Sequence, residues 1–138
     1  ETIAKVLSLM GCHHALVVHS ADGLDELSTA GLNRITELKE GQVKTDTLDA
    51  TSLGLLAAWG EDLKGDDIAR NVQIARSVLA GEKGPQRDVV LLNAAAALIA
   101  ADKASIFPTG LALAAQSIDS GQAEAKLEAL VRLSQSLS

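Results

Sequence analysis

The segment Val17 to Ser28 places three carboxylates, Asp22, Asp25 and Glu26, within five residues at the end of an apolar run. Two carboxylates 4 Å apart repel by roughly 4 kcal/mol at an effective dielectric near 20. A divalent cation reverses that sign, and Mg²⁺ characteristically takes one or two carboxylates together with substrate phosphates. In a loop, Asp25 and Glu26 can both reach one ion. In open α/β sheets ligands collect beyond the carboxyl ends of strands, which is where these acids fall. The same residues also suit the start of a helix, with Asp22 as N-cap and Asp25 three positions on, where acids complement the helix dipole. On residue types alone both readings stand.

The other reactive residues point to less. Cys12, His13 and His14 are consecutive, and side chains so placed rarely converge on the three or four positions that zinc needs. His19 at a strand end is of the residue type that serves as a general base but reads as a structural histidine. Neither Cys12 nor Ser20 has an identifiable partner to orient it as a nucleophile. Arg87 and Asp88 stand before a long apolar stretch, where a cap and a structural ion pair are expected. Asn93 lies inside that stretch, and an unpartnered amide there would cost about 1–3 kcal/mol. No glycine-rich phosphate loop of the Walker or dinucleotide type occurs.

Positioning these residues falls to a simple series of elements. Ile3, Val6, Leu7 and Met10 mark a helix over 2–10, ended by Gly11. Ala15 to His19 is a short valine-rich run that reads as a buried strand. Ile35 to Glu40 and Gln42 to Leu48 form two strands around Gly41, and Gly54 to Gly60 is ambiguous. The remainder is helical. Asp66 is placed to cap a helix reaching Leu79 with Ile68, Val72, Ala75 and Leu79 on its buried face. Val89 to Ala101 is apolar on every side and so belongs in the interior. A further helix opens at Pro108-Thr109. A last one runs from Gln122 to Ser136 with Leu127, Leu130 and Val131 inward and Lys126 and Arg132 outward. Two or three strands leave most of these helices without a shared face to cover. The expected fold class is therefore α/β, as the C-terminal part of a mixed-sheet domain with several packed helices.

Composition narrows the function. The 138 residues carry 12 Lys+Arg against 18 Asp+Glu, a formal charge of −6 that repels polyphosphate backbones. Trp59 and Phe107 are the only aromatics of their kind, with no tyrosine, so a base-stacking platform is not expected. No nucleic-acid role follows. No apolar run is long enough to span a bilayer, and Glu1 to Met10 does not read as a signal peptide. The lone Cys12 points to a reducing, cytoplasmic setting. A first residue other than methionine is expected of a processed chain or of a piece of a longer one.

In order along the chain, HALVVHSADGLDELS (14–28), Ile35-Thr36-Glu37-Leu38, LAGEKGPQRDVVLLNAAAAL (79–98), Ile118-Asp119-Ser120-Gly121 and Lys126-Leu127 resemble the anthranilate phosphoribosyltransferases. The resemblance covers nearly the whole chain. It implies a nucleoside phosphorylase/phosphoribosyltransferase-like fold in which residues 1–138 form the C-terminal portion of the α/β domain. The N-terminal helical domain, the family's Gly-Thr-Gly-Gly-Asp loop, its Lys-His-Gly-Asn segment and its anthranilate-contacting arginine would lie upstream. It further implies transfer of the phosphoribosyl group of phosphoribosyl pyrophosphate to anthranilate in tryptophan biosynthesis, by a homodimer that uses Mg²⁺. Asp25 and Glu26 match the family's Mg²⁺-binding acids. Ser20 stands where the family often has glycine. The alternatives are a pyrimidine nucleoside phosphorylase-like enzyme and a non-catalytic homologue acting as an interaction module. Alone, the chain is expected to be inactive, because it supplies the acid pair without the phosphate-binding donors.

Overall fold

The computed structural model describes residues 1–137. Helix α1 (Thr2–Leu9) precedes three strands, β1 (His14–Ser20), β2 (Leu32–Lys39) and β3 (Gln42–Asp49). A 3₁₀ turn at Ala50–Leu53 leads to the helices α2 (Gly60–Leu63), α3 (Ile68–Leu79), α4 (Pro85–Ala100), α5 (Phe107–Asp119) and α6 (Gln122–Ser136). The α/β class is as expected. The described sheet is antiparallel throughout, in the order β1-β2-β3, with Val18 opposite Ile35 and Ser20 opposite Asn33. Glu40 and Gly41 both take positive φ, which is what a tight hairpin between β2 and β3 demands.

Helix α4 is the axis of the fold. Its Leu92 and Ala96 pack with Leu16, Val18, Ile35 and Leu48 of the sheet and with Leu27 from the β1–β2 loop. Its opposite side carries Leu91, which joins Val78 of α3 and Ala114 and Ile118 of α5. A helix that serves two cores must be apolar on two faces, which explains its lack of polar stripe. It is not interior all round, however: Val90 is 42% exposed. The alanines let α5 come close. A Cβ on Gly110 would lie 3.0 Å from the Cα and carbonyl oxygen of Ala95, so α5 rides directly on the α4 backbone.

Several sequence expectations shift. The cap of α3 is Asp67, whose carboxylate accepts the Arg70 N–H at 2.8 Å, and not Asp66. The face turned inward is the one carrying Ile74 and Val78, with Val78 packed against Leu91 of α4 and Ala114 and Ile118 of α5. Ile68 and Val72 are left 83% and 49% exposed. Strand β1 is half-buried through most of its length, as suits a strand at the sheet margin. In α6, Leu127 and Val131 are half-buried but Leu130 is 62% exposed. Stabilisation of so short a core leaves much apolar surface in water, including Leu9, Met10, Leu56 and Trp59.

Candidate functional site

The acids of residues 22–26 lie on the loop between β1 and β2, with no helix among them. Capping by Asp22 is thus overturned. Its carboxylate instead accepts hydrogen bonds from the Ser20 hydroxyl and, at 2.5 Å, from the Ser28 hydroxyl, closing the loop on itself. Those two donors, Ser20 first, hold the Asp22 carboxyl below its ordinary value.

Asp25 and Glu26 behave differently. Both are exposed, and neither makes a hydrogen bond or ion pair with any described residue. The residues on either side of them are held firmly. Leu24 donates its N–H to Ser20 Oγ at 3.2 Å, and its carbonyl accepts from the Ser20 N–H at 3.3 Å. Leu27 donates its N–H to Asn93 Oδ1 at 2.9 Å, and its carbonyl accepts from Asn93 Nδ2 at 2.8 Å. The Leu27 side chain is fully buried in the core beneath. One residue on, Asn33 repeats the arrangement: its Oδ1 accepts the Ser28 N–H at 2.7 Å and its Nδ2 donates to the Ser28 carbonyl at 2.9 Å. Asn93 thus finds the partners that its place in an apolar helix requires. Asn33 and Ser28 escaped sequence reasoning. The available signal was an asparagine inside a strand, a position that residue disfavours unless its amide has other work.

The remaining candidates do not converge. His14 sits between Glu37, 3.0 Å from Nε2, and Asp102, 2.9 Å from Nδ1, tying β1 to β2 and to the turn after α4. Lys39 also reaches Asp102, at 3.2 Å, and together with His14 it holds that carboxyl low. Cys12 Sγ donates to the His14 carbonyl at 3.4 Å, and His13 is exposed. Among the described residues no group of three or more His, Cys, Asp or Glu side chains could enclose a metal. His19 is exposed, without a side-chain partner among the described residues, so it is no buried structural histidine. Arg87 forms the expected ion pair, with Asp119 at 2.8 Å, and sits 94% out of solvent, away from the acids. A groove of about 900 Å³ opens beside the acid loop, with Asp22 and Glu26 at its lip and Leu24, Trp59, Val89 and Val90 in its wall.

Residues 1–124 match the glycosyl transferase family, a/b domain. The chain belongs to this family. It is 49% identical over 130 residues to an anthranilate phosphoribosyltransferase of Solibacter usitatus, covering 94% of this chain and 38% of that protein. It is also 49% identical over 140 residues to the enzyme of the same description from Thermomicrobium roseum, covering 99% of this chain and 40% of the relative. Among solved structures, the anthranilate phosphoribosyltransferase of Thermus thermophilus superposes with a TM-score of 0.83 at 39% identity, over 94% of this chain and 38% of that one. The Saccharomyces cerevisiae enzyme in complex with phosphoribosyl pyrophosphate and Mg superposes with a TM-score of 0.75 at 26% identity, over 83% of this chain and 33% of its own. The chain therefore spans about two-fifths of the length of the curated relatives it matches. No helix among the described residues is long and apolar enough to cross a membrane.

Proposed function

We propose that this chain is the C-terminal portion of the α/β domain of an anthranilate phosphoribosyltransferase, with Asp25 and Glu26 as its Mg²⁺ ligands. The observation that carries the reading is a pair of exposed carboxylates without internal partners, on a loop whose flanks are both pinned. Most surface acids lie on helices or in ion pairs, as Asp46, Asp102 and Asp119 do here. Two hard oxygen donors and no third protein ligand suit Mg²⁺, which fills its remaining positions with water and substrate phosphate oxygens.

In this reading Asp25 and Glu26 present negative charge to solvent, Glu26 where it lines the groove, so that they meet a cation carried on a polyanionic substrate. When bound, the ion supplies charge neutralisation on the departing pyrophosphate as the bond from C1′ to oxygen breaks. The amino group of anthranilate is nucleophilic as the free base at neutral pH, so the chain need not provide a strong general base, and His19 is not assigned that role.

The donors for the substrate phosphates belong, in this reading, to the upstream part of the enzyme, and that part covers the groove. A large apolar concavity beside a polar site, in a chain two-fifths the length of its relatives, supports this. The same reading has a homodimer formed through the upstream helical domain, a cytoplasmic enzyme, and an isolated chain without activity.

The experiment is a Mg²⁺ titration of the whole enzyme carrying Asp25→Ala, Glu26→Ala or both. Turnover with anthranilate and phosphoribosyl pyrophosphate should fall by orders of magnitude, with stability changed by less than about 0.5 kcal/mol. Wild-type turnover across the titration would remove the metal assignment. Turnover of thymidine with phosphate in place of anthranilate would favour a nucleoside phosphorylase.

A further inference from the structure

We propose that Ser20 and Asn93 are positioning residues for the acid pair, clamping the backbone on either side so that the two carboxylates leave the loop in a fixed direction. This rests on the reading of Asp25 and Glu26 as Mg²⁺ ligands. The geometry is a two-residue span between two clamped peptides. Before the span, the N–H of Leu24 is taken by the Ser20 hydroxyl and its carbonyl by the Ser20 N–H. After it, the N–H and the carbonyl of Leu27 are both taken by the single amide of Asn93. Only Asp25 and Glu26 stand between.

Asn93 can do this because its own orientation is settled. Nδ2 donates a second hydrogen bond, at 3.0 Å, to the carbonyl of Val89 one turn earlier in α4. With two carbonyls facing Nδ2 and one N–H facing Oδ1, the amide has one sensible orientation, and flipping it would oppose like groups at all three contacts. The clamp is therefore referenced to the most deeply packed helix of the fold. Ser20 is likewise rigid: it is fully buried at the end of β1, and its hydroxyl also serves Asp22.

The clamps exceed what holding the loop requires. Leu27 is already anchored by its buried side chain, and Ser28 is held at both backbone groups by Asn33. What Asn93 adds is the plane of the peptide that joins Glu26 to Leu27. That plane sets where the Glu26 side chain points. An exposed carboxylate pair on a mobile loop would lose much of its cation affinity to the entropy of ordering, whereas a pinned pair meets the ion ready-made. Groups that orient metal ligands without touching the metal change affinity by about 10–100-fold when removed.

The test uses the whole enzyme with Ser20→Ala, Asn93→Ala and, as reference, Asp25→Ala. Mn²⁺ binding is read by electron paramagnetic resonance, the Mg²⁺ dependence by steady-state kinetics, and the Leu24 and Leu27 amides by hydrogen exchange. Ser20→Ala and Asn93→Ala should each weaken Mn²⁺ binding and raise the half-saturating Mg²⁺ about tenfold. The rate at saturating Mg²⁺ should stay within about twofold, a split that a general loss of fold does not produce. Amide exchange should quicken at Leu27 for Asn93→Ala and at Leu24 for Ser20→Ala. If Asn93→Ala does not fold, Ser20→Ala carries the test, since it deletes one oxygen and leaves the Ser20 N–H bond intact. Unchanged metal affinity in folded variants overturns the proposal while an effect of Asp25→Ala leaves the metal reading standing. No effect of Asp25→Ala removes both.

Discussion

Replacing Gly110 by alanine should destabilise the protein, although alanine is the better helix former. Gly110 lies in the first turns of α5, and a Cβ there would approach Ala95 to 2.9 Å at its Cβ and 3.0 Å at its Cα and carbonyl oxygen. Two of those three atoms are backbone of α4, which cannot step aside as a flexible side chain would. Exchanging glycine for alanine in a helix returns at most about 1 kcal/mol. Forcing a methyl into a closed interface costs about 1–3 kcal/mol. With the return taken in full the balance is a loss of up to about 2 kcal/mol, or a fall in Tm of up to about 8 °C for a domain of this size. Gly60→Ala is the control, because nothing lies within 4 Å of a Cβ there and its φ is outside the left-handed region. That variant should be neutral or gain up to about 1 kcal/mol. Urea denaturation of both variants beside the wild type reads the difference. A midpoint for Gly110→Ala raised as far as that of Gly60→Ala would refute the close approach of α5 to α4, and with it the account of why that helix is built from alanines.

Two further outcomes follow from the surface. Trp59 is the chain's single tryptophan, 69% exposed in the wall of the groove. Its fluorescence should be red-shifted in the isolated chain and, if the proposed upstream portion covers the groove, move to the blue when that portion is added; an unmoved spectrum would mean that the groove is not covered. Asp22 governs part of the acid response. Its folded pKa lies below its unfolded value near 3.9 because Ser20 and Ser28 donate to the carboxylate. Its contribution is therefore present above the unfolded pKa and lost as pH falls through the folded one. Asp22→Asn should lower the urea midpoint at neutral pH and flatten its decline below about pH 4, leaving a residual slope from Asp49 and Asp102, which are also held low.

What the sequence determined by itself was local. The apolar stripe before Gly11, the paired runs around Gly41, the Pro and Gly signals of the helical half and the run of alanines each act through neighbours within a turn or a hairpin, and those elements formed where expected. The order of residues from His14 to Ser28 and from Leu79 to Leu98 also carried the family, since such motifs are read as strings. Tertiary structure decided the rest. Whether α3 turned Ile68 or Ile74 inward depended on the surface that α4 and α5 offered, and periodicity cannot choose between adjacent faces. Asp22 read as a helix cap because an acid three residues before another suits one. It became the knot of a loop because Ser20, two residues before it, and Ser28, six residues after it, were brought together by the pairing of β1 with β2. The acid pair itself was legible, but what frames it was not. Asn93 is 66 residues from Leu27 in the chain, and only the packing of α4 beneath the sheet brings its amide to that peptide.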